Sequence, residues 1–436
     1  MKKSFIYILT AFLLCTTIIS AQQTPAPKQV QDICIIGATA HIGNGQVINN
    51  SIIVLKDGKI ELVANATTSK IDMSNMEVIN ADGQHVYPGF IVPNSTLGLG
   101  EIDSVRATQD NDEVGSMNPH IRSLIAYNTE SKVVESMRPN GVLIGQITPQ
   151  GGRIAGTSSI VQFDAWNWED AALKTDDGVH INWPNPYTKG KWWLGEPSTL
   201  KPNKDYITQI EELTDYLEQG KAYLKGEKQT KHLPFEALQG IIMGSKKLYI
   251  HVDNAKGITD AVEFTKKNNI KDMVIVGGYE AYKVTGILKQ NNIPVILKRV
   301  HSRPTSDDQD YDLPYKMAKT LVDNGILVAL QVNGGQMERM NSRNLPFYAG
   351  TCAAYGLDKE EALKLITSNT AKILGIDDIC GTLETGKDAT LFISEGDALD
   401  MRTNKLSKAF IQGRDISLET HQTELYERYS EKYKNQ

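Results

Sequence analysis

The middle of the chain alternates short apolar runs with helical patterns, and this alternation constrains the fold more than any other feature. The runs "KLYIHV" (Lys247–Val252), "DMVIVGG", "IPVILKRV" and "ILVALQV" have the length of buried strands, and helical periodicity follows most of them. The last helical segment opens at Asp358, an N-cap candidate, and closes at Gly375. Strand–helix units at this spacing predict a parallel sheet, either doubly wound or closed into a barrel.

The two ends of the chain have a different residue pattern. In residues 22–84 and 377–416 apolar residues alternate with polar ones, and Asp-Gly, Asn-Gly and other glycine-containing pairs mark turns. These β-rich ends predict one small β-sandwich assembled from both termini. Residues 150–185 interrupt the strand–helix rhythm with glycines and aromatic residues, and we expect an insertion of strands and loops there. The charged tail, residues 417–436, is expected to form a surface helix.

The N-terminus has the pattern of a secretory leader. Lys2 and Lys3 precede an apolar run from Phe5 to Ile19, and small residues ending at Ala21 follow it. This pattern predicts a signal peptide, residues 1–21, cleaved after Ala21, and therefore a periplasmic or secreted protein. The apolar run is shorter than the ~20 residues that span a bilayer. No later segment is long and apolar enough, so we expect no membrane span after the signal is removed.

Charge and cysteine content exclude several classes of protein. The formal net charge is −6, and loss of Lys2 and Lys3 with the leader makes it −8. This balance offers no basic surface for nucleic acid and no basic amphipathic stretch for a membrane. Cys34, Cys352 and Cys380 remain, an odd number without short spacing. Buried free thiols are therefore predicted rather than a disulfide framework.

Several separate segments resemble the amidohydrolase superfamily, in the branch of imidazolonepropionase-like and related secreted amidohydrolases. They are "DGKI" (57–60), "ADGQHVYPGFI" (81–91), "HVDNAKGITDAVEF" (251–264) and "YGLDKEEALKLITSNTAKILGIDDICGTLETGKDATLFI" (355–393). They are distributed along most of the mature chain, from residue 57 to residue 393, in the family's order. The resemblance implies a (β/α)8 TIM-type barrel over residues 85–376 that carries the β-sandwich. It also implies metal-dependent hydrolysis of carbon–nitrogen bonds in cyclic amides or dipeptide-like compounds.

The residues that would hold the family's metal are mostly replaced in this sequence. The family's first strand runs Pro-Gly-Phe-Ile-Asp-x-His-x-His, and its two histidines project to one face. Here Asn94 and Thr96 occupy the histidine positions, and Val92 replaces the aspartate. His251 matches the histidine of the fifth strand, whereas "VIVGG" offers none on the sixth. Asn333 stands at the position of the catalytic aspartate, and an amide cannot act as a base at neutral pH.

These replacements predict a degenerate metal site. The family's metal lowers the pKa of a bound water from about 15.7 to ~7, and neutral amide and hydroxyl oxygens are poor substitutes for imidazole in such a site. We therefore expect no tightly bound cofactor, and zinc or another divalent metal only if the site has been rebuilt around His251. His251 itself is either a relic ligand or a satisfied polar group at a strand end. The position of a bridging lysine, present in some relatives, is obscured by residues 150–185.

Two loops carry candidate ligand-binding cations. Arg299 and His301 follow a predicted barrel strand, and on a barrel this loop lies at the active face. They are candidates for an anionic ligand, or belong to a solvated loop whose arginines pair with the acidic run at 307–310. Arg343 follows the eighth strand and either binds a carboxylate or braces its loop.

Three functions remain open on the sequence alone. The first is a pseudoenzyme, a weakly active or non-catalytic paralogue that binds a small polar molecule. The second is an active amidohydrolase with a rebuilt mononuclear site; a His, Asp or Glu at coordination distance from His251 would favour it. The third is a non-catalytic subunit that pairs with an intact paralogue, which an exposed apolar patch on the outer helices would favour. A homo-oligomer is a further expected assembly.

Overall fold

The computed structural model describes residues 24–197, 199–227, 230–332 and 335–434. The strands in this part of the chain are β1 (Ile33–Ile36), β2 (Thr39–His41), β3 (Val47–Ile48), β4 (Ser51–Lys56), β5 (Lys59–Asn65), β6 (Glu77–Asn80), β7 (His85–Pro88), β8 (Phe90–Ser95), β9 (Val142–Ile147), β10 (Ile154–Gln162), β11 (Ala172–Asn182), β12 (Tyr187–Thr188), β13 (Lys201–Pro202), β14 (Lys247–Val252), β15 (Met273–Gly277), β16 (Val295–Leu297), β17 (Val328–Leu330), β18 (Leu391–Ser394), β19 (Leu406–Ile411) and β20 (Arg414–Asp415).

The α-helices lie mainly between and after the barrel strands. They are α1 (Lys132–Glu135), α2 (Trp168–Ala171), α3 (Tyr206–Lys225), α4 (Leu233–Met243), α5 (Ala255–Lys267), α6 (Thr285–Gln290), α7 (Leu313–Asp323), α8 (Leu345–Ala354), α9 (Lys359–Lys364), α10 (Ser368–Leu374) and α11 (His421–Lys434). The predicted surface helix of the tail corresponds to α11, which buries no residue. Among the described residues, no helix is both long enough and apolar enough to cross a bilayer.

Eight strands form one sheet, in the order β17-β16-β15-β14-β11-β10-β9-β8, that curves into a nearly closed barrel. The predicted TIM-type barrel is thus confirmed. Strands β11 and β14 to β17 pair in parallel, as do β8 and β9. The strand β10 is the exception, because it pairs antiparallel with both β9 and β11.

The reversed strand has a simple cause in chain length. Only residues 148–153 connect β9 to β10, and 163–171 connect β10 to β11. A parallel crossover needs a dozen or more residues, so these short connections permit antiparallel pairing alone. Residues 150–185, which we expected to be an insertion, thereby place two of their strands in the barrel sheet.

The barrel closes at a seam between its end strands β17 and β8. The single helix predicted up to Gly375 is wrong, because α9 and α10 are separate and the break between them faces this seam. The carbonyl of Ile366 accepts a hydrogen bond from the N–H of Ile91 at 2.9 Å, and the carbonyl of Leu365 accepts one from the N–H of Leu330 at 3.1 Å. These carbonyls bond to β8 and β17 instead of continuing the helix, and this is the reason for the break.

The β-sandwich is built from both termini, as predicted. One sheet has the order β5-β4-β1-β6, and the other has the order β20-β19-β18-β7-β2-β3. The second sheet joins the two ends of the chain directly, since β18 pairs antiparallel with β7 over Leu391–Ser394 and His85–Pro88. Buried aliphatic side chains such as Ile35, Ile53 and Leu391 fill the space between the sheets. Because β8, the first barrel strand, directly follows β7 in the chain, the sandwich anchors the start of the barrel.

Candidate functional site

A network of polar side chains crosses the interior of the barrel, where apolar packing is the rule. Its members are Gln146 of β9, Ser158 of β10, Asp177 and His180 of β11, and Tyr249 and His251 of β14. The first five are at most 4% exposed, whereas His251 is partly exposed. His251 is near the carboxyl end of β14, on the side of a barrel where active sites lie. We call this end the mouth of the barrel.

Asp177 is the buried acid of the network. A left-handed residue, Asp176 (φ 53°), and a register shift between β10 and β11 precede it, and its carboxylate reaches into the barrel. It accepts hydrogen bonds from Ser158 Oγ (2.7 Å), Gln146 Nε2 (2.9 Å) and the Tyr249 hydroxyl (2.8 Å). Burial raises the pKa of Asp177, and the three donors oppose that shift.

Gly178 allows Tyr249 to reach Asp177. A Cβ added at Gly178 would lie 2.3 Å from the Tyr249 ring and 2.8 Å from the Lys247 carbonyl. We expect Gly178→Ala to lower the free energy of unfolding by about 1–3 kcal/mol, because a methyl group must displace the ring or the strand. Denaturant unfolding measures this change.

The matched control is Gly286→Ala in α6, where an added Cβ meets no atom within 4 Å. We expect this substitution to leave stability unchanged or slightly raised, since alanine favours helix. Equal effects of the two substitutions would contradict the close packing of Tyr249 on Gly178.

The two barrel histidines contact each other. His180 Nδ1 lies 2.9 Å from His251 Nε2, and His180 Nε2 lies 2.9 Å from Ser158 Oγ. The His180 ring also stacks on Tyr249, with centroids 4.6 Å apart. Burial lowers the pKa of His180 well below its usual 6.5, and burial lowers that of His251 to about 4. Both imidazoles are therefore neutral at physiological pH.

The two residues that the resemblance aligns with the family's first two histidines are buried at the end of β8. Asn94 is 5% exposed, has a left-handed backbone (φ 50°) and donates its side-chain N–H to Gln331 Oε1. Its backbone N–H donates to Gln146 Oε1 at 3.1 Å, which joins β8 to the polar network. Thr96 is fully buried. Asn333, which the resemblance aligns with the catalytic aspartate, lies outside the described residues.

We tested whether these side chains fit the metal that the resemblance implies. Across the described ranges, no group of three His, Cys, Asp or Glu side chains is arranged to hold a metal ion. His180 is at close distance from His251, but the two nitrogens that face each other share one proton and are not both available as ligands. Asn94 and Thr96 add only neutral oxygens. This donor set does not fit a zinc-type centre, which takes three or four imidazole, thiolate or carboxylate ligands.

The predicted ligand-binding cations are not brought together. Arg299 forms a close ion pair with Glu338, in the segment after the eighth barrel strand, and not with the acidic run of its own loop. His301 Nε2 lies 2.7 Å from Thr351 Oγ1 in α8. Arg343 is exposed. The structure thus gives Arg299 and His301 protein partners and places Arg343 on the surface.

Sequence reasoning missed most of the polar network. The segment "DDGVHIN" (176–182) carries two of its members, Asp177 and His180, but it lies in residues 150–185, for which the sequence predicts an insertion of strands and loops. Gln146 and Ser158 lie on strands that the sequence analysis did not assign. A usable signal existed: a polar residue in an otherwise apolar strand, such as His180 between Val179 and Ile181, indicates a buried partner.

Comparison with known proteins agrees with this architecture. The amidohydrolase family model matches residues 243–416. No protein with a curated description matches the chain. An amidohydrolase from Thermotoga maritima MSB8 shares 24% sequence identity, with a TM-score of 0.76, over 88% of this chain and 99% of that one.

Two more distant structures share the fold. Molinate hydrolase has 15% identity and a TM-score of 0.53, over 90% of this chain and 95% of its own. A Xaa-Pro dipeptidase with bound methionine has 12% identity and a TM-score of 0.52, over 88% of this chain and 100% of its own. The amidohydrolase family model thus matches the second half of the barrel and the C-terminal sandwich strands, and nearly the whole chain shares the fold of these solved hydrolases.

Proposed function

We propose that this protein is an exported amidohydrolase-superfamily member that has lost metal-dependent hydrolysis and binds a small polar ligand at the mouth of the barrel. The observation that carries the proposal is the contact between His180 and His251. The one imidazole retained at a ligand position of the family donates to, or accepts from, a second imidazole inside the barrel at 2.9 Å. The polar network therefore uses His251 in a way that a metal centre does not.

The ligand site is proposed at the mouth because His251 is the partly exposed end of the network. Near it, Asp253 and Lys298 form an ion pair of 2.6 Å, with Asp253 two residues beyond His251 and Lys298 directly after β16. Buried polar groups surrounded by a charged rim favour a small polar molecule over an apolar one. Export is supported by the leader predicted at residues 1–21, which lie outside the described part of the chain.

The experiment is metal analysis of the exported protein. The protein is produced with zinc and manganese supplied, recovered from the exported fraction, and examined by plasma mass spectrometry. We expect far less than one metal ion per chain, because the donor set lacks the ligands a metal needs. The intact mass of the same preparation, expected to begin at Gln22, tests export. The Thermotoga maritima amidohydrolase, prepared in parallel, serves as the comparison.

His251→Ala separates a metal in the barrel from one bound elsewhere. A stoichiometric metal that this substitution removes, together with turnover of a dipeptide or cyclic amide that a chelator abolishes, would overturn the proposed function. A metal-free, folded protein without such turnover supports it.

A further inference from the structure

The hydrogen-bond directions in the barrel follow from one backbone group. The N–H of Asn94 can only donate, so the side-chain atom of Gln146 that it meets at 3.1 Å is the carbonyl oxygen. The Gln146 amide nitrogen therefore points the other way and donates to Asp177 Oδ2 (2.9 Å) and Ser158 Oγ (3.3 Å). The orientation of Gln146 is fixed without any assumption about protonation.

Asp177 determines the direction of the next hydrogen bond, the one made by the Ser158 hydroxyl. The three hydrogen bonds from Gln146, Tyr249 and Ser158 to its two oxygens favour the ionised form, and an ionised carboxylate only accepts hydrogen bonds. The Ser158 hydroxyl therefore donates to Asp177 Oδ1 at 2.7 Å, and its oxygen is left to accept. Since Ser158 has one proton, the group that faces it from the other side, His180 Nε2 at 2.9 Å, must be the donor.

The donor at His180 Nε2 then determines the tautomer of both imidazoles. A neutral His180 that carries its proton on Nε2 has a bare Nδ1, which must accept from His251 Nε2. A neutral His251 with its proton on Nε2 has a bare Nδ1. Across the described residues, no hydrogen bond of the protein involves that nitrogen, and it belongs to the partly exposed end of the network.

We propose that Asp177, acting through Ser158 and His180, fixes the tautomer of His251, so that the mouth of the barrel takes ligands through an N–H or O–H donor. This inference rests on the proposed function, since it concerns the same ligand site. Asp177, Ser158 and His180 are positioning residues, and His251 is the group that meets the ligand. A primary amide or amine fits the bare nitrogen. A group that offers only lone pairs, such as a tertiary amide, does not.

Nuclear magnetic resonance reads the tautomer directly. In the mature protein labelled with ¹⁵N in histidine, at pH 8, we expect His251 and His180 to carry their protons on Nε2. Asp177→Asn is expected to invert both. The new amide can donate to Ser158, whose hydroxyl then turns to His180 Nε2, and the protons move to Nδ1 in each ring. His301, which lies outside the network, is the internal control and keeps its tautomer.

Two matched amides test the ligand class. Acetamide has N–H donors and N,N-dimethylacetamide has none, although both have the same carbonyl group. In the wild-type protein we expect acetamide to shift the His251 Nδ1 resonance and the dimethyl compound to leave it in place. In Asp177→Asn the preference should disappear, because Nδ1–H now needs an acceptor and the carbonyl groups of both amides supply one.

Three results would overturn the inference: a wild-type His251 with its proton on Nδ1, tautomers unchanged by Asp177→Asn, or equal shifts by both amides in the wild-type protein. Should Asp177→Asn fail to fold, Ser158→Ala cuts the same path without removing the charge, and a loss of the single tautomer is expected. A stoichiometric metal at His251 overturns the proposed function itself, whereas a metal-free protein with the opposite tautomer overturns only this inference.

Discussion

Replacing Asp164 with alanine is expected to lower the free energy of unfolding by about 3–5 kcal/mol. Asp164 is 2% exposed and lies between two arginines, with Arg414 Nη1 at 2.6 Å and Arg138 Nη1 at 3.5 Å. Arg138 is itself only 5% exposed, and burial lowers the pKa of its guanidinium. Loss of the carboxylate would leave the buried Arg138 and the partly buried Arg414 without their shared anion.

The position of Asp164 makes the effect global. It follows β10 of the barrel, whereas Arg414 belongs to β20 of the sandwich, so this ion pair joins the two layers of the fold. Asp164 Oδ2 also accepts the backbone N–H of Ala26 at 3.0 Å, and Arg414 donates to the Ala26 carbonyl at 3.3 Å. The chain that follows the predicted leader is thereby held to both parts of the protein.

Denaturant unfolding followed by circular dichroism measures the loss. Glu395→Ala is the control, because it breaks an ion pair of 2.8 Å whose side chains are 72% (Lys405) and 51% (Glu395) exposed. Such surface pairs contribute about 0–1 kcal/mol. A similar, small change for both substitutions would show that the Asp164 cluster does not hold barrel and sandwich together.

Lowering the pH from about 6.5 to 4 is expected to reduce the free energy of unfolding by about 3 kcal/mol through protonation of His251 alone. Burial holds the pKa of His251 at about 4, below its usual 6.5. Within this window the unfolded chain binds a proton that the folded protein does not. Stability is therefore complete above about pH 6.5 and is lost as the pH falls. His180, whose pKa is also lowered, acts in the same direction.

The measurement is the free energy of unfolding as a function of pH, compared between wild type and His251→Asn. In the difference between the two curves the contributions of the carboxylates cancel. This includes Asp177, whose raised pKa makes the folded protein more stable as the pH falls, opposite to His251. We expect the variant to lose stability less steeply between pH 6.5 and 4. His421→Asn, at an exposed histidine of α11, should follow the wild-type curve. Parallel curves for wild type and His251→Asn would contradict the burial of His251 in a neutral form.

The sequence predicts those parts of the fold whose signals are local. Strands β14 to β17 are mainly apolar runs, because both faces of a barrel strand are buried, and they lie where the sequence analysis predicts them. The caps are equally local: Asp358 accepts from the N–H of Glu360 at 2.9 Å, and Gly375 has a φ of 68°. The sandwich follows from turn residues and alternation at both ends.

What the sequence analysis missed depends on distant partners. The break at Leu365 and Ile366 lies inside a good helical pattern, and only the amide groups of β8 and β17 explain it. The inward direction of Asp177 depends on the irregular pairing beside Asp176, which changes the face of the strand. The sequence predicts replaced ligands at Asn94 and Thr96, whereas the contact between His180 and His251 is visible only in the structure.

The seam of the barrel has a consequence for the order of folding during synthesis. The carbonyls that bond to the outer edges of β8 and β17 come from residues 365 and 366, roughly 270 residues after β8 leaves the ribosome. Until then the edge of β8 has open N–H and C=O groups, and such edges pair with other chains. A nascent chain of this protein therefore needs protection of β8 from aggregation for most of its elongation.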